Sequence, residues 1–200
     1  MNSMTSARTS PSTPEPGHAA GAEKGWIASV PPEEATGQLA QAYQKQQAKL
    51  GRVTELTQIG SLYPALVATR LALYEVVDAT PSAIPEWARR AVALLTSVLN
   101  GCRFCTVGHT ERLVEDGYGP LAEAIKSQPE TASSSSPPVD ALLSYARKLV
   151  RRPGEITEQD IQSLRDEGWS DLDILDVNNI AAYYCYINRV ATGLGLTREA

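Results

Sequence analysis

The sequence predicts an all-α protein that folds as one multi-helix bundle. Alanine and leucine dominate the segments between the turns, and apolar residues recur there at helical spacing. Alternating runs of Val, Ile and Thr, which are typical of β-hairpins, are absent from the sequence. A chain of 200 residues also favours one hydrophobic core over two separate domains.

Proline and glycine mark the first two predicted helices. In the first, at about residues 34–49, Leu39 and Tyr43 lie four residues apart on one face, and Gly51 follows the end. The second opens with Pro64 in its first turn, where the missing N–H costs no hydrogen bond. Its apolar residues are Leu66, Leu73, Val76 and Val77.

The next three helices occupy the centre of the chain. A third helix opens with Ser82 and Pro85 and continues to residue 100, where Gly101 acts as a stop signal. A fourth covers residues 102–115, and a short fifth covers residues 120–126.

Helix-capping residues place the remaining helices. A sixth helix covers residues 138–150. Thr157 and Ser170 each have an aspartate three residues later, a pattern that predicts an N-cap and a helix start. The last helix, at about residues 171–191, is almost continuously apolar in its second half, which predicts burial on most sides or at a subunit interface.

Two stretches lack any helical pattern. Residues 1–25 are rich in Ser, Thr, Pro, Ala and Gly, which predicts a disordered tail. A mitochondrial transit peptide is the alternative, although such peptides are Arg-rich and avoid the acidic residues and prolines found here. The polar residues at about 127–138 predict a flexible linker that divides the helical domain, residues 26–200, into two halves.

Composition excludes several classes of protein. A net charge of −5 without a dense basic surface argues against a nucleic-acid partner. No apolar stretch reaches the roughly 20 residues needed to cross a bilayer, and the apolar core of a secretory signal is missing. We therefore expect a cytoplasmic protein that has no membrane partner.

The strongest chemical signal is Cys102-x-x-Cys105-x-x-x-His109, directly after the predicted stop at Gly101. A helix start stabilises a thiolate because its backbone N–H groups are unpaired and its dipole is positive there. Cys105 and His109 lie four residues apart and share a helix face, so the imidazole can exchange a proton with the thiol. We predict Cys105 as the nucleophile and Cys102 as the thiol that closes a disulfide with it.

Structural zinc is an alternative use of the same residues. A closed zinc site needs about four ligands, and only Cys102, Cys105, His109 and the distant Cys185 supply them outside the tail. Cys185 lies in an apolar run and is predicted to serve packing. We therefore expect neither a metal nor a cofactor.

The run from Ala91 to His109 resembles the core motif of the alkylhydroperoxidase D and carboxymuconolactone decarboxylase-like superfamily. Residues 73–77 and 186–196 are similar to its branch of peroxidase-related enzymes. The resemblance implies an all-α homo-oligomer, a trimer or hexamer, that reduces peroxides. It also implies that Cys105 is the peroxidatic cysteine, Cys102 the resolving cysteine and His109 the proton relay.

The sequence departs from this resemblance at one position. The superfamily places a glutamate twelve residues before the first cysteine, where this chain has Arg90. Glu86 lies one helical turn earlier on the same face, so we predict it as a catalytic residue in the displaced role, with a favourable first-turn acidic residue as the alternative. Arg90 fits either a surface charge or a group that stabilises the Cys105 thiolate.

Three functions fit these residues. The leading hypothesis is a peroxidase that takes a hydroperoxide as substrate and a thiol as reductant. The second is a non-enzymatic, redox-sensing oligomer, which the missing glutamate favours. The third is a lactone decarboxylase on the same fold, a branch that generally lacks the CxxC pair. Tyr183, Tyr184 and Tyr186 fit either a pocket wall or core and interface positions.

Overall fold

A computed structural model describes residues 25–197, which form nine α-helices and two 3₁₀ helices, Pro32–Glu34 and Pro153–Glu155, with no β-strand in that range. This confirms the predicted all-α fold. The predicted disordered tail lies almost entirely outside the described residues. The helices are α1 (Gly37–Leu50), α2 (Glu55–Gln58), α3 (Pro64–Asp78), α4 (Glu86–Leu99), α5 (Arg103–Glu115), α6 (Gly119–Ser127), α7 (Pro137–Arg151), α8 (Glu158–Asp166) and α9 (Asp171–Gly193).

Most of these helices begin and end near the residues that predicted them. Gly51 ends α1 in the left-handed region, with φ of 70°. Thr157 and Ser170 form capping boxes at the starts of α8 and α9, each with the predicted aspartate. The short α2 has no counterpart among the predicted helices because four residues are too few to show an apolar period.

The hydrophobic core surrounds α4, which packs against α5, α6, α7 and α9. Ala91, Val92, Leu94 and Leu95 of this helix have no exposed surface. Burial of each larger aliphatic side chain contributes about 1.5–3 kcal/mol to the free energy of unfolding. The helix start that carries the cysteines is thus attached to the most deeply buried element of the core.

Helix α3 has a different distribution of apolar side chains. Val67 and Arg70 are its buried residues, whereas Leu66, Leu73 and Val76 are exposed. These three share one face because they lie seven and three residues apart. A single copy of the chain therefore leaves an apolar strip on the outside of α3.

The segment between α6 and α7, where the sequence predicts a flexible linker, has no helix but many hydrogen bonds. Ser133 and Ser134 donate hydrogen bonds to the Asp140 carboxylate at the start of α7. Arg147 donates to the carbonyl groups of Pro129 at 2.7 Å and of Ala132 at 3.1 Å. The segment is therefore held against α7 by hydrogen bonds along its length.

None of the helices within residues 25–197 is long and apolar enough to cross a membrane.

Candidate active site

A glycine-dependent turn joins α4 to α5 and positions the cysteine pair. The N–H of Gly101 donates to the carbonyl of Val98, and the N–H of Cys102 donates to that of Ser97, both at 3.0 Å. This is a Schellman motif, which needs the left-handed conformation that Gly101 adopts at φ of 69°. Cys102 consequently becomes the N-cap of α5, and its sulfur accepts a hydrogen bond from the Cys105 N–H at 3.4 Å.

Cys102 points into a polar network between α4 and α9. The Asn188 side chain, 1% exposed, donates to the Ser97 hydroxyl at 3.1 Å and accepts from the Asn100 amide at 3.0 Å. A hydrogen bond from the Cys105 thiol lowers the pKa of Cys102 to about 6. Burial opposes this effect, and the Asn188 and Thr192 side chains support it. The Cys102 sulfur is therefore mostly a thiolate at neutral pH, and the Cys105 thiol donates a hydrogen bond to it.

Cys105 lies on the other side, facing a cavity of about 320 Å³. Helices α1, α3, α5 and α9 supply most of its wall. Its lining residues include Arg70, Cys105, His109, Arg112, Tyr183 and Tyr184. Cys102 has no exposed surface and does not line the cavity. A molecule bound in the cavity reaches Cys105 first.

His109 shares the cavity wall with Cys105, as the predicted helix face requires. The imidazole packs edge-on against the Tyr184 ring, with ring centroids 4.5 Å apart. Burial lowers the pKa of His109 to about 3, and the positive charges of Arg112 and Arg90 act in the same direction. His109 is therefore neutral at pH 7, and a pKa this low makes the imidazole a weak base that readily gives up any proton it receives.

Glu86 is not brought into this cavity. Its side chain is 77% exposed and pairs with Arg90, which also pairs with Asp116. Pro85 caps α4, so Glu86 lies in the solvent-facing first turn of the helix. The structure thus departs from the predicted placement of Glu86, and Arg90 lies at an ion-paired surface position near enough to influence His109.

Several cavity residues were not singled out in the sequence. Arg70 is the one charged residue between positions 64 and 74, and a lone charge in an apolar helix is a signal that points to it. Arg112 follows Cys105 and His109 on the same face of α5, seven and three residues later. Nothing local to Asn188 reveals its contact with the Cys102 turn.

The tyrosines of α9 divide between the two predicted roles. Tyr183 and Tyr184 line the cavity, whereas Tyr186 is 41% exposed and does not line it.

Cys185 accepts a hydrogen bond from the Asn100 amide at 3.4 Å. In the part of the chain that the structure describes, no three side chains of His, Cys, Asp or Glu group together as they would around a metal ion.

No protein-family profile and no curated protein matches the sequence. Solved structures do match. The chain superimposes on an uncharacterized peroxidase-related protein from Ralstonia eutropha JMP134, described as an alkylhydroperoxidase AhpD core, with a TM-score of 0.80 and 21% identity over 90% of this chain and 94% of that one. This chain has the alkylhydroperoxidase D fold.

Two further structures share the alkylhydroperoxidase D fold with this chain. An uncharacterized peroxidase-related protein from Silicibacter sp. TM1040 has a TM-score of 0.74 and 23% identity over 92% of this chain and 96% of that one. The debrominase Bmp8, in a cysteine-to-alanine variant bound to 2,3,4-tribromopyrrole, has a TM-score of 0.71 and 17% identity over 86% of this chain and 90% of that one. Structures with this fold therefore include both peroxidase-related proteins and a debrominase.

Proposed function

We propose that this protein is a thiol-dependent peroxidase that reduces hydroperoxides through Cys105 and Cys102. The observation that carries the proposal is the division of the cysteine pair. Cys105 faces the cavity beside His109, whereas Cys102 lies behind it with a lowered pKa. The similarity in fold to peroxidase-related proteins supports the same assignment.

The reaction begins at the Cys105 sulfur. As the Cys105 sulfur attacks the terminal oxygen of the hydroperoxide, the thiol proton passes to His109, which relays it to the leaving oxygen. The O–O bond breaks, and the leaving alkoxide takes a proton from His109 and departs as an alcohol. Sulfur is oxidised to a sulfenic acid, while the peroxide is reduced.

Cys102 completes the turnover. Its thiolate attacks the Cys105 sulfur, the S–S bond forms as the S–O bond of the sulfenic acid breaks, and the released hydroxide takes a proton from solvent and departs as water. An external dithiol then reduces the disulfide and restores both thiols. We propose the reducing cytoplasm as the compartment that supplies such a dithiol.

The surface position of Glu86 favours a second candidate function. Glu86 pairs with Arg90 at the surface and does not line the cavity, so this side chain cannot protonate the leaving group there. The glutamates that do line the cavity, Glu111 and Glu115, are exposed. A redox-sensing protein, in which the disulfide forms without repeated turnover, needs no such proton carrier. The two functions differ in whether a hydroperoxide is consumed continuously.

The deciding experiment follows the consumption of hydrogen peroxide and cumene hydroperoxide by the reduced protein with excess dithiol. We expect no turnover in Cys105→Ser and a loss of about 10²–10⁴-fold in His109→Ala, because general acid–base catalysis has that magnitude. Glu86→Gln and Cys185→Ser are the matched controls and should keep their activity. Full activity in Cys105→Ser would refute the proposal, and a single oxidation without turnover in the unmodified protein would favour the redox sensor.

We also propose that copies of the chain associate into the trimer or hexamer that the resemblance implies, through the exposed face of α3. Leu66, Leu73 and Val76 support this because they place apolar surface in water on one copy. Sedimentation at micromolar concentration should give the mass of an oligomer, and Leu73→Glu should lower it. A monomeric unmodified chain would contradict the proposal.

A further inference from the structure

Arg70 is the one buried Arg or Lys side chain within residues 25–197, with 5% of its surface exposed. It lines the same cavity as Cys105. One guanidinium nitrogen donates to the carbonyl of Leu56 at 2.5 Å. No carboxylate of the described residues lies within 4 Å of the guanidinium, which leaves a positive charge at the cavity wall without an ionised partner.

Two other arginines of the described residues have carboxylate partners. The Asp176 carboxylate has no exposed surface, and Arg89 approaches it to 3.4 Å. The surface group Arg90 pairs with two carboxylates. Burying a charge is costly unless an opposite charge or several hydrogen bonds compensate it. An anion that enters the cavity would supply what Arg70 lacks.

The surroundings of Arg70 hold the guanidinium in place without neutralising it. Burial lowers the pKa of Arg70, and the phenol groups of Tyr186 and Tyr183 act against that effect. Burial also raises the pKa of Tyr183, so its hydroxyl stays uncharged at neutral pH. The guanidinium stays positively charged because an arginine side chain keeps its proton in proteins. It packs closely on Gly60, where an added Cβ would lie 3.2 Å from Nη2.

The mouth of the cavity differs from the site of Arg70 because charged residues of both signs lie there. Arg52 and Arg112 line it together with Glu111 and Glu115, and all four residues are exposed. Opposite charges in water are screened and discriminate weakly between ligands. The buried Arg70 is therefore the charged group that selects a ligand by its charge.

The other residues of the cavity wall indicate the size and polarity of the rest of the ligand. Leu56, Phe104, Tyr184 and Ile187 present apolar surface, and a volume of about 320 Å³ lies at the small end of ligand pockets. A guanidinium binds a carboxylate through two parallel hydrogen bonds. We propose that the cavity binds small apolar molecules that carry a carboxylate, with Arg70 holding the carboxylate. Together with the proposed peroxidase function, this assigns carboxylate-bearing organic hydroperoxides as the substrate class.

Binding tests the site without any turnover. Calorimetry on the unmodified protein should show phenylacetate binding at least tenfold more tightly than 2-phenylethanol, which has a similar size and no charge. Arg70→Met should abolish this preference, Arg70→Lys should restore part of it, and the exposed residue Arg103, changed to Met, is the matched control. Equal binding of the two compounds by the unmodified protein would overturn the proposal even if Arg70→Met fails to fold.

Activity tests the substrate class separately. We expect kcat/KM for 4-carboxycumene hydroperoxide to exceed that for cumene hydroperoxide at least tenfold, and Arg70→Met to remove the difference. Equal kcat/KM values together with equal binding would overturn the carboxylate site and leave the peroxidase intact. Carboxylate-selective binding without any peroxide turnover would support the site and refute the peroxidase function.

Discussion

The two sides of the cysteine pair differ in what surrounds each sulfur. On the interior side, a hydrogen bond from the Cys105 thiol lowers the pKa of Cys102, and the side chains of Thr192 and Asn188 from α9 act in the same direction. On the cavity side, Cys105 lies with His109 and Arg70 around space for a ligand. One turn of α5 therefore separates an enclosed thiol, Cys102, from a thiol that faces the cavity, Cys105.

This division has a simple cause in the chain. The Schellman motif at Gly101 fixes Cys102 as the N-cap of α5, with its sulfur between the first turn of α5 and the side chains of Thr192 and Asn188 from α9. Cys105 and His109, four residues apart, then lie on the face of α5 that borders the cavity. A pair at CxxC spacing at this helix start can thus present only one of its sulfurs to the cavity.

The largest expected effect is an all-or-none difference between the two cysteines. After one equivalent of hydroperoxide, Cys102→Ser should retain a sulfenic acid on Cys105, because no thiol remains behind it to form the disulfide. Cys105→Ser should form none, because Cys102 has no exposed surface. Dimedone labelling followed by intact-mass spectrometry measures this, with Cys185→Ser as the control.

Two other outcomes of the labelling have clear meanings. Equal labelling of both cysteine variants would show that either cysteine can attack the hydroperoxide, so that the cavity and interior sides do not have separate roles. Labelling of Cys105→Ser alone would reverse the assignment, so that Cys102 would be the attacking thiol and the enclosed side the reactive one.

The sequence was sufficient for features that depend on neighbours along the chain. Proline, glycine and the capping aspartates located most helices, and the CxxC spacing with His109 located the helix start that borders the cavity. Each of these signals lies within one or two helical turns. The sequence did not predict the four-residue helix α2, because this helix is too short to show an apolar period.

Features that depend on packing could not be predicted in the same way. Asn188 and Arg70 reach the site from α9 and α3, and no spacing in the sequence shows which helices will adjoin α5. Glu86 shows the opposite case. Its position along α4 suggested the site, but Arg90 and the first turn of the helix hold its side chain at the surface.

A smaller effect is expected from the polar network behind Cys102. The pKa of this thiol falls from its ordinary value of 9.0 to about 6, mainly through the hydrogen bond from Cys105 and in part through Asn188. Thiolate absorbance of the reduced protein at about 240 nm should therefore rise with a midpoint near pH 6. Cys105→Ala should raise that midpoint most, Asn188→Ala should raise it less, and Cys185→Ser should leave it unchanged.

The same shift makes folding stability depend on pH. Because the pKa of Cys102 is lower in the folded chain than in the unfolded chain, the unfolded chain binds more protons between about pH 6 and pH 9. The free energy of unfolding should rise with pH across that window, and the contribution should be lost as the pH falls through the folded pKa. His109 acts below this range, since burial lowers its pKa from 6.5 to about 3. Urea denaturation of reduced protein at several pH values should show a shallower rise for Asn188→Ala than for the unmodified chain. An identical slope would mean that the interior side of the pair does not stabilise the thiolate and that Cys105 alone sets its pKa.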